Sequence, residues 1–287
     1  MYDRRERLIQ VFEDTCQFIK ENPILSKKAT MARRATEFYP AEKHPVIMAQ
    51  PDKAGEIRVT QHKTFEADIE IHRLHSDYKI AVLNFASATT PGGGVTKGSS
   101  AQEESLCRCS TLYPVLTVPY LWDTYYSVNR AARNPLYSDA IIYTPGVVIC
   151  KTDEDYPERM SEKDWVEVDV ITCAAPNLRQ RPGNQYNPDQ SAPVVVSAEE
   201  LLGLHKSRAR HILSVAASKG VDALVLGAFG CGAFQNDPKV VAQAYKKVLE
   251  QFKGYFQYIE FAIYCRPRET GNYDAFYTSF LKGSWQD

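Results

Sequence analysis

The chain has 287 residues, 44% hydrophobic and 24% charged, with 34 Lys and Arg set against 35 Asp and Glu. That profile excludes disordered, collagen-like and membrane-embedded classes and leaves a globular protein long enough for one large α/β domain with an appendage. A net charge of −1 also excludes bulk phosphate neutralisation as a binding mode, because proteins that hold nucleic acid in that way carry a surplus of Lys and Arg.

The opening residues Met1-Tyr2-Asp3-Arg4-Arg5-Glu6-Arg7 are too charged for a signal peptide, and no apolar run reaches the length of a membrane span. A cytoplasmic protein is expected. From Arg4 to Lys20, Leu8, Ile9, Phe12, Cys16, Phe18 and Ile19 recur at roughly helical spacing, and Glu21-Asn22-Pro23 ends the run. A stretch rich in Lys, Ala and Arg then reads as a second short helix, with Tyr39-Pro40 in a linker. Residues 1–45 are therefore expected to form an N-terminal helical appendage, and residues 46–287 the main domain.

Beyond the appendage, short apolar runs alternate with helical patterns, as in an α/β sheet. The clearest strands are Lys79–Phe85, Asp139–Tyr143, Val147–Cys150, Val168–Cys173, Ala223–Gly227 and Ile259–Tyr264. Between Phe65 and Leu74, the residues Phe65, Ala67, Ile69 and Ile71 alternate as in a strand, yet the composition also suits a helix, which is the preferred reading. Glu199–Lys219 reads as a helix closed by Gly220, and its basic middle (Lys206, Arg208, Arg210) as a solvated face.

Two strand-loop-helix units end in glycine-rich loops. The first runs from Lys79–Phe85 to Gly92-Gly93-Gly94 and opens a helix at Ala101-Gln102-Glu103-Glu104. Three glycines in a row let backbone N–H groups approach a ligand closely and permit positive φ. The second runs from Ala223-Leu224-Val225-Leu226 through Gly227-Ala228-Phe229-Gly230-Cys231-Gly232-Ala233-Phe234 to Asp237, a good N-cap, and Pro238 at the first helical position. A glycine loop feeding a helix N-terminus suits phosphate. Its G-x-x-G-x-G spacing is neither the dinucleotide fingerprint nor a P-loop. In open α/β sheets ligands lie beyond the carboxyl ends of the strands, so both loops can clasp one phosphorylated ligand.

Glu103 and Glu104 follow the triple glycine directly. Ser100-x-x-Glu103 fits a capping box, and acidic residues suit a helix's first turn. The alternative is glycosidic chemistry, in which one carboxyl protonates the leaving oxygen and a carboxylate helps water to the anomeric carbon. Adjacent helical residues point about 100° apart, so one is expected to transfer protons while the other orients the sugar. A helix N-terminus lowers a carboxyl pKa, whereas a general acid needs it raised. The seven cysteines are an odd, scattered set, and Cys107-x-Cys109 lacks metal-ligand spacing. Reduced thiols, no metal and no cofactor are expected.

Taken together, Asn84-Phe85-Ala86-Ser87-Ala88, Pro91-Gly92-Gly93-Gly94, Ala101-Gln102-Glu103-Glu104-Ser105-Leu106, Tyr143-Thr144-Pro145-Gly146-Val147, Ala174-Ala175-Pro176-Asn177 and the loop Gly227–Phe234 resemble the bacterial-type poly(ADP-ribose) glycohydrolases, whose hallmark is a GGG loop followed by QEE. The resemblance covers roughly residues 45–285. It implies a macrodomain-like three-layer α/β/α fold with a mixed central sheet. It also implies metal-independent hydrolysis of the ribose-ribose O-glycosidic bond of poly(ADP-ribose), mainly from chain ends, releasing ADP-ribose and serving the reversal of ADP-ribosylation in the DNA damage response.

By the same resemblance, Glu104 is the catalytic acid/base, Glu103 holds the terminal ribose, and Gln102 and Gly92 to Gly94 lie against the substrate. Gly230, Cys231, Gly232 and Ala233 supply backbone donors to the diphosphate, and Phe234 packs over the ribose. Asn84 matches the first Asn of the macrodomain Asn-Ala-Ala-Asn signature; Ser87 stands where the second would be. The implied partners are poly(ADP-ribose), ADP-ribose and ADP-ribosylated proteins, with no membrane and no stable nucleic-acid binding, for a monomer. The alternatives are a mono-ADP-ribosyl hydrolase acting on modified proteins and a non-catalytic ADP-ribose reader. The intact Gln102-Glu103-Glu104 argues against the reader, which needs the glycine loops but not the glutamate pair.

Overall fold

The computed structural model describes residues 4–47, 53, 55–183 and 191–282; Met1, Tyr2 and Asp3 of the charged opening segment lie outside them. Its strands are β1 (Glu37–Tyr39), β2 (Glu56–Thr60), β3 (Ile80–Phe85), β4 (Ile141–Ile149), β5 (Val166–Cys173), β6 (Ala223–Leu226) and β7 (Tyr258–Ala262). They form one sheet in the order β1-β4-β5-β3-β6-β7-β2. β4 runs antiparallel to both β1 and β5, and every other pairing is parallel. The helices are α1 (Arg4–Glu21), α2 (Pro23–Ala35), α3 (Thr64–Leu74), α4 (Gln102–Cys109), the short α5 (Leu112–Leu116), α6 (Pro119–Leu121) and α7 (Ser127–Ala132), then α8 (Ala198–Ser218), α9 (Pro238–Leu249) and α10 (Gly271–Tyr277).

Central strands that are buried and largely apolar on both faces serve two cores at once, as parallel strands covered on both faces must. Ala81, Leu83, Leu224 and Leu226 join Ile212, Leu213 and Ala216 of α8, Val241 and Tyr245 of α9 and Phe276 of α10. Ile80, Val82, Ala223 and Val225 face the other way, toward Phe12 of α1, Phe65 and Ile71 of α3, Leu106 of α4 and Leu112 of α5. The result is the expected three-layer α/β/α arrangement with a mixed sheet. β3 and β6 are parallel neighbours, so the two glycine loops that follow them leave the same edge of the sheet side by side.

Several local expectations change. Thr64, Phe65, Ala67, Asp68 and Ile71 are the buried residues of α3, a spacing of three and four that only a helix provides, so the alternation of Phe65, Ala67, Ile69 and Ile71 is incidental. The two strands expected at Asp139–Tyr143 and Val147–Cys150 are one strand, β4, whose register shifts between Thr144 and Val147. Pro145 has no N–H to give to a ladder, and the bulge absorbs it; Gly146, at φ 67°, turns its own N–H to Asp169 Oδ1 at 3.0 Å. Tyr39, read as linker, is the last residue of the edge strand β1. Glu56–Thr60, not marked as a strand, is the opposite edge, where only Val59 is buried and the apolar signal is correspondingly weak.

The basic middle of α8 is not a solvated face throughout. Arg208 is 1% exposed and its Nε donates to Asp139 Oδ1 at 3.0 Å, with Leu136 O accepting a second bond. A guanidinium enters the interior when a carboxylate and a carbonyl meet its fork of donors; Lys206 and Arg210 remain partly exposed.

α1 is fastened across the sheet rather than left free. Asn22 caps α2, its Oδ1 accepting from Ile24 N at 2.9 Å and Leu25 N at 3.1 Å. Ile19, Leu25 and Ala29 pack on Val148 and Cys150. Lys151, 1% exposed, donates to Val11 O at 3.0 Å and pairs with Asp14 at 2.7 Å, while Arg159 holds the other Asp14 oxygen at 2.6 Å. These ties fix where the first turn of α1 lies, which matters for the site.

Candidate active site

The triple glycine is required by what surrounds it. Gly92 and Gly93 sit at φ 66° and 58°, where an L side chain is strained. A Cβ on Gly92 would meet the Tyr113 ring at 2.8 Å. A Cβ on Gly93 would meet Glu104 Oε1 at 2.5 Å and Glu103 Oε2 at 3.1 Å. The two glutamate side chains leave α4 in different directions, yet both carboxylates reach the same point, the empty side of Gly93.

Glu103 is 2% exposed. Its Oε2 accepts from Ser87 N at 2.7 Å and its Oε1 from Asn84 Nδ2 at 3.3 Å, with the Gly92 N–H also donating to the carboxylate. The capping box expected from Ser100-x-x-Glu103 does not form: the N-cap of α4 is Ala101, with no side-chain cap. A carboxylate drawn inward to Ser87 and Asn84 cannot also turn back to the helix end. Glu104, 7% exposed, accepts from Gly94 N at 2.8 Å.

Burial, followed by the neighbouring Glu104 charge, holds the Glu103 pKa well above the ordinary 4.5 against the pull of its hydrogen bonds. Burial also raises Glu104, with the Gly94 N–H opposing. Desolvation therefore outweighs the helix N-terminus, so the tension noted from the sequence falls on the side of raised carboxyl pKa values.

Gln102 borders the same cavity, but its amide serves the scaffold. Its Oε1 accepts from Phe85 N at 2.8 Å, and its Nε2 donates to Leu83 O at 2.8 Å and Thr64 Oγ1 at 3.0 Å. It thus seats α4 on the end of β3.

In the second loop Gly230, at φ 79°, is pressed against Ala175 and Asn236, whose nearest atoms would lie 2.6 and 2.9 Å from a Cβ. Among the described residues, the N–H groups of Gly230, Gly232, Ala233 and Phe234 donate to no protein acceptor, whereas Cys231 N bonds Ala228 O at 3.0 Å. The Asp237 side chain caps α9 by accepting from Lys239 N at 2.8 Å. A row of free N–H groups ahead of a helix N-terminus is an anion cradle.

Both loops open on one cavity of about 930 Å³, the size of a nucleotide-scale ligand pocket. Glu103, Glu104, Gly93, Gly94, Gly230, Gly232, Ala233 and Phe234 line it, while Asn84, Gly92 and Cys231 stand behind the lining. Arg4, Arg5 and Leu8 of α1 form part of the wall beside the glutamates. The Arg5 carbonyl would lie 2.5 Å from a Cβ on Gly98, so α1 sits directly on the loop that leads into α4. Among the described residues no group of three or more His, Cys, Asp or Glu is placed to hold a metal ion, and no helix is long and apolar enough to cross a membrane.

The poly(ADP-ribose) glycohydrolase of Thermomonospora curvata bound to the inhibitor ADP-HPD superposes with a TM-score of 0.80 at 30% identity, covering 96% of this chain and 100% of that one. The chain belongs to the poly(ADP-ribose) glycohydrolase family. The glycohydrolase of Deinococcus radiodurans in complex with ADP-ribose is 34% identical, with a TM-score of 0.75 and coverage of 88% of this chain and 97% of that one. The family model for the microbial-type PARG catalytic domain matches residues 13–152, which include the triple glycine and both glutamates. No curated protein matches the chain by sequence.

Membership in the glycohydrolase family leaves several cavity residues that the sequence reading did not single out. Lys63, Arg179, Tyr264 and Arg266 line the cavity, with Lys63 Nζ 5.5 Å from the centre of the Tyr264 ring. Tyr264 follows β7 and Arg179 follows β5, at the sheet edge from which the glycine loops emerge. The rule that ligands lie beyond the carboxyl ends of parallel strands could have found them.

Proposed function

We propose that the chain hydrolyses the ribose-ribose O-glycosidic bond of poly(ADP-ribose) at chain ends and releases ADP-ribose. The observation that supports this most strongly is the convergence of two buried carboxylates on Gly93 together with a loop whose four N–H groups find no protein acceptor among the described residues. The related structures hold ADP-ribose and ADP-HPD, ligands that match a cavity lined by both the anion cradle and the carboxyls.

In this reading the diphosphate rests on the N–H groups of Gly230, Gly232, Ala233 and Phe234, with Phe234 against the ribose. Glu103, held by Ser87 and Asn84, orients the terminal ribose. The Glu104 carboxyl, whose pKa burial raises, gives its proton to the departing ribose oxygen as the bond to the anomeric carbon breaks. Water then adds its oxygen to that carbon and returns a proton to the Glu104 carboxylate. The acid is thereby restored, with one glycosidic bond exchanged for two hydroxyl groups.

The position of α1 supports the chain-end reading. Its first turn walls the cavity beside the glutamates, and further along the helix Asp14 is held by Lys151 and Arg159, which places α1 where it would obstruct a polymer continuing past the terminal ribose. End-labelled polymer resolved on a sequencing gel should shorten while ADP-ribose accumulates from the first time point. An early ladder of mid-length fragments would show internal cutting and overturn the chain-end assignment.

A further inference from the structure

We infer that His205, on the buried face of α8, is a positioning residue that sets the diphosphate loop through Asn236. The inference rests on the proposed reading of the cavity as a poly(ADP-ribose) site. Neither side chain lines the cavity. Asn236 is 2% exposed, and its Nδ2 donates to Pro176 O at 2.7 Å, Gly230 O at 3.0 Å and Phe234 O at 3.2 Å. One amide therefore ties the first and last parts of the glycine loop to each other and to the segment after β5.

The orientation of that amide is forced. Three carbonyls surround its nitrogen and can only accept, so Oδ1 must point the other way, where it meets His205 Nε2 at 2.8 Å. Oδ1 accepts, so Nε2 carries the proton and Nδ1 has none; Nδ1 is buried without a partner. His205 is fully buried, with its ring edge-on to Phe229 at 5.9 Å. Burial lowers its pKa to about 4, which keeps it neutral and in this tautomer at working pH. Backbone bonds from Gln235 N to Gly232 O and from Asn236 N to Gly230 O, both 3.1 Å, complete the loop but do not attach it to α8. The His205–Asn236 bond does.

A loop held in this way presents its N–H groups to the diphosphate before and during bond cleavage alike, so loosening it should weaken binding without slowing chemistry. His205→Phe keeps an aromatic ring in the slot and deletes the donor. KM for polymer and Kd for ADP-ribose should both rise about tenfold with kcat within about twofold of wild type. His205→Gln, whose amide nitrogen can reach the place of Nε2, should restore both. Asn236→Asp, which keeps the acceptor and loses the donors, should reproduce the His205→Phe pattern and serves if that variant does not fold. Unchanged KM and Kd in both variants, a fall in kcat at constant KM, or failure of Gln to rescue would overturn the inference. A wild-type chain that neither cleaves polymer nor binds ADP-ribose would instead overturn the functional reading on which it rests.

Discussion

Glu104→Gln is expected to lower kcat on poly(ADP-ribose) by about 10²–10⁴, the usual worth of a general acid/base, while Kd for ADP-ribose stays within about threefold. The replacement is isosteric, and its amide oxygen can still accept from Gly94 N, which bonds Glu104 Oε1 at 2.8 Å in the wild type. The transferable acid proton is lost. Burial lifts the Glu104 pKa above the ordinary 4.5, so the wild-type rate should hold above the pH at which a solvated glutamate ionises and then fall as pH rises through the raised value. The residual rate of the variant should lack that alkaline limb. The same shift affects stability: what a carboxyl with a raised folded pKa contributes is complete below its unfolded value near 4.5 and is lost as pH rises through the folded value. Glu104→Gln should therefore be more stable than wild type at pH 8, with the advantage shrinking toward pH 4. Wild-type turnover in the variant would remove Glu104 from the mechanism.

Gly93→Ala should be the next most damaging change. Its Cβ would fall 2.5 Å from Glu104 Oε1 and 3.1 Å from Glu103 Oε2, at a backbone φ of 58° that costs an L residue about 1–2 kcal/mol. Neither carboxylate can move freely, since Glu103 is tied to Ser87 and Asn84 and Glu104 to Gly94. Displacing a reacting group by about 1 Å costs about 10² in rate, and kcat should fall by at least that factor in a protein that remains folded but is destabilised by about 1–3 kcal/mol. Calorimetric melting together with steady-state kinetics checks both parts. A kcat within about threefold of wild type would mean that the carboxylates are not set against Gly93.

What the sequence made legible was local chemistry at the ends of strands. The triple glycine, the Asp237-Pro238 start of α9 and the phosphate-suited second loop could be read because positive φ, capping and missing side chains leave direct marks in the residue types. The partners of those residues could not be read. Glu103 fits a capping box on paper, and only the fold brings Ser87 N and Asn84 into competition for its carboxylate. Gln102 sits beside the glutamate pair in the chain but braces Phe85 and Leu83. Arg208 lies in a charged run typical of a surface, and Asp139, far away in sequence, draws it inside. The edge strands β1 and β2 left little trace because an edge buries few side chains, and Pro145 split β4 on paper where a bulge keeps it whole in space.

The chemical identity of the product formed by the wild-type chain tests the central claim most directly. Purified protein is incubated with poly(ADP-ribose) in ¹⁸O-labelled water, and the soluble products are separated and weighed by mass spectrometry. Cleavage of the glycosidic bond predicts ADP-ribose as the released species, with one solvent oxygen on its terminal ribose. Phosphoribosyl-AMP, which arises by cutting the diphosphate instead, or intact polymer after prolonged incubation, would contradict the account.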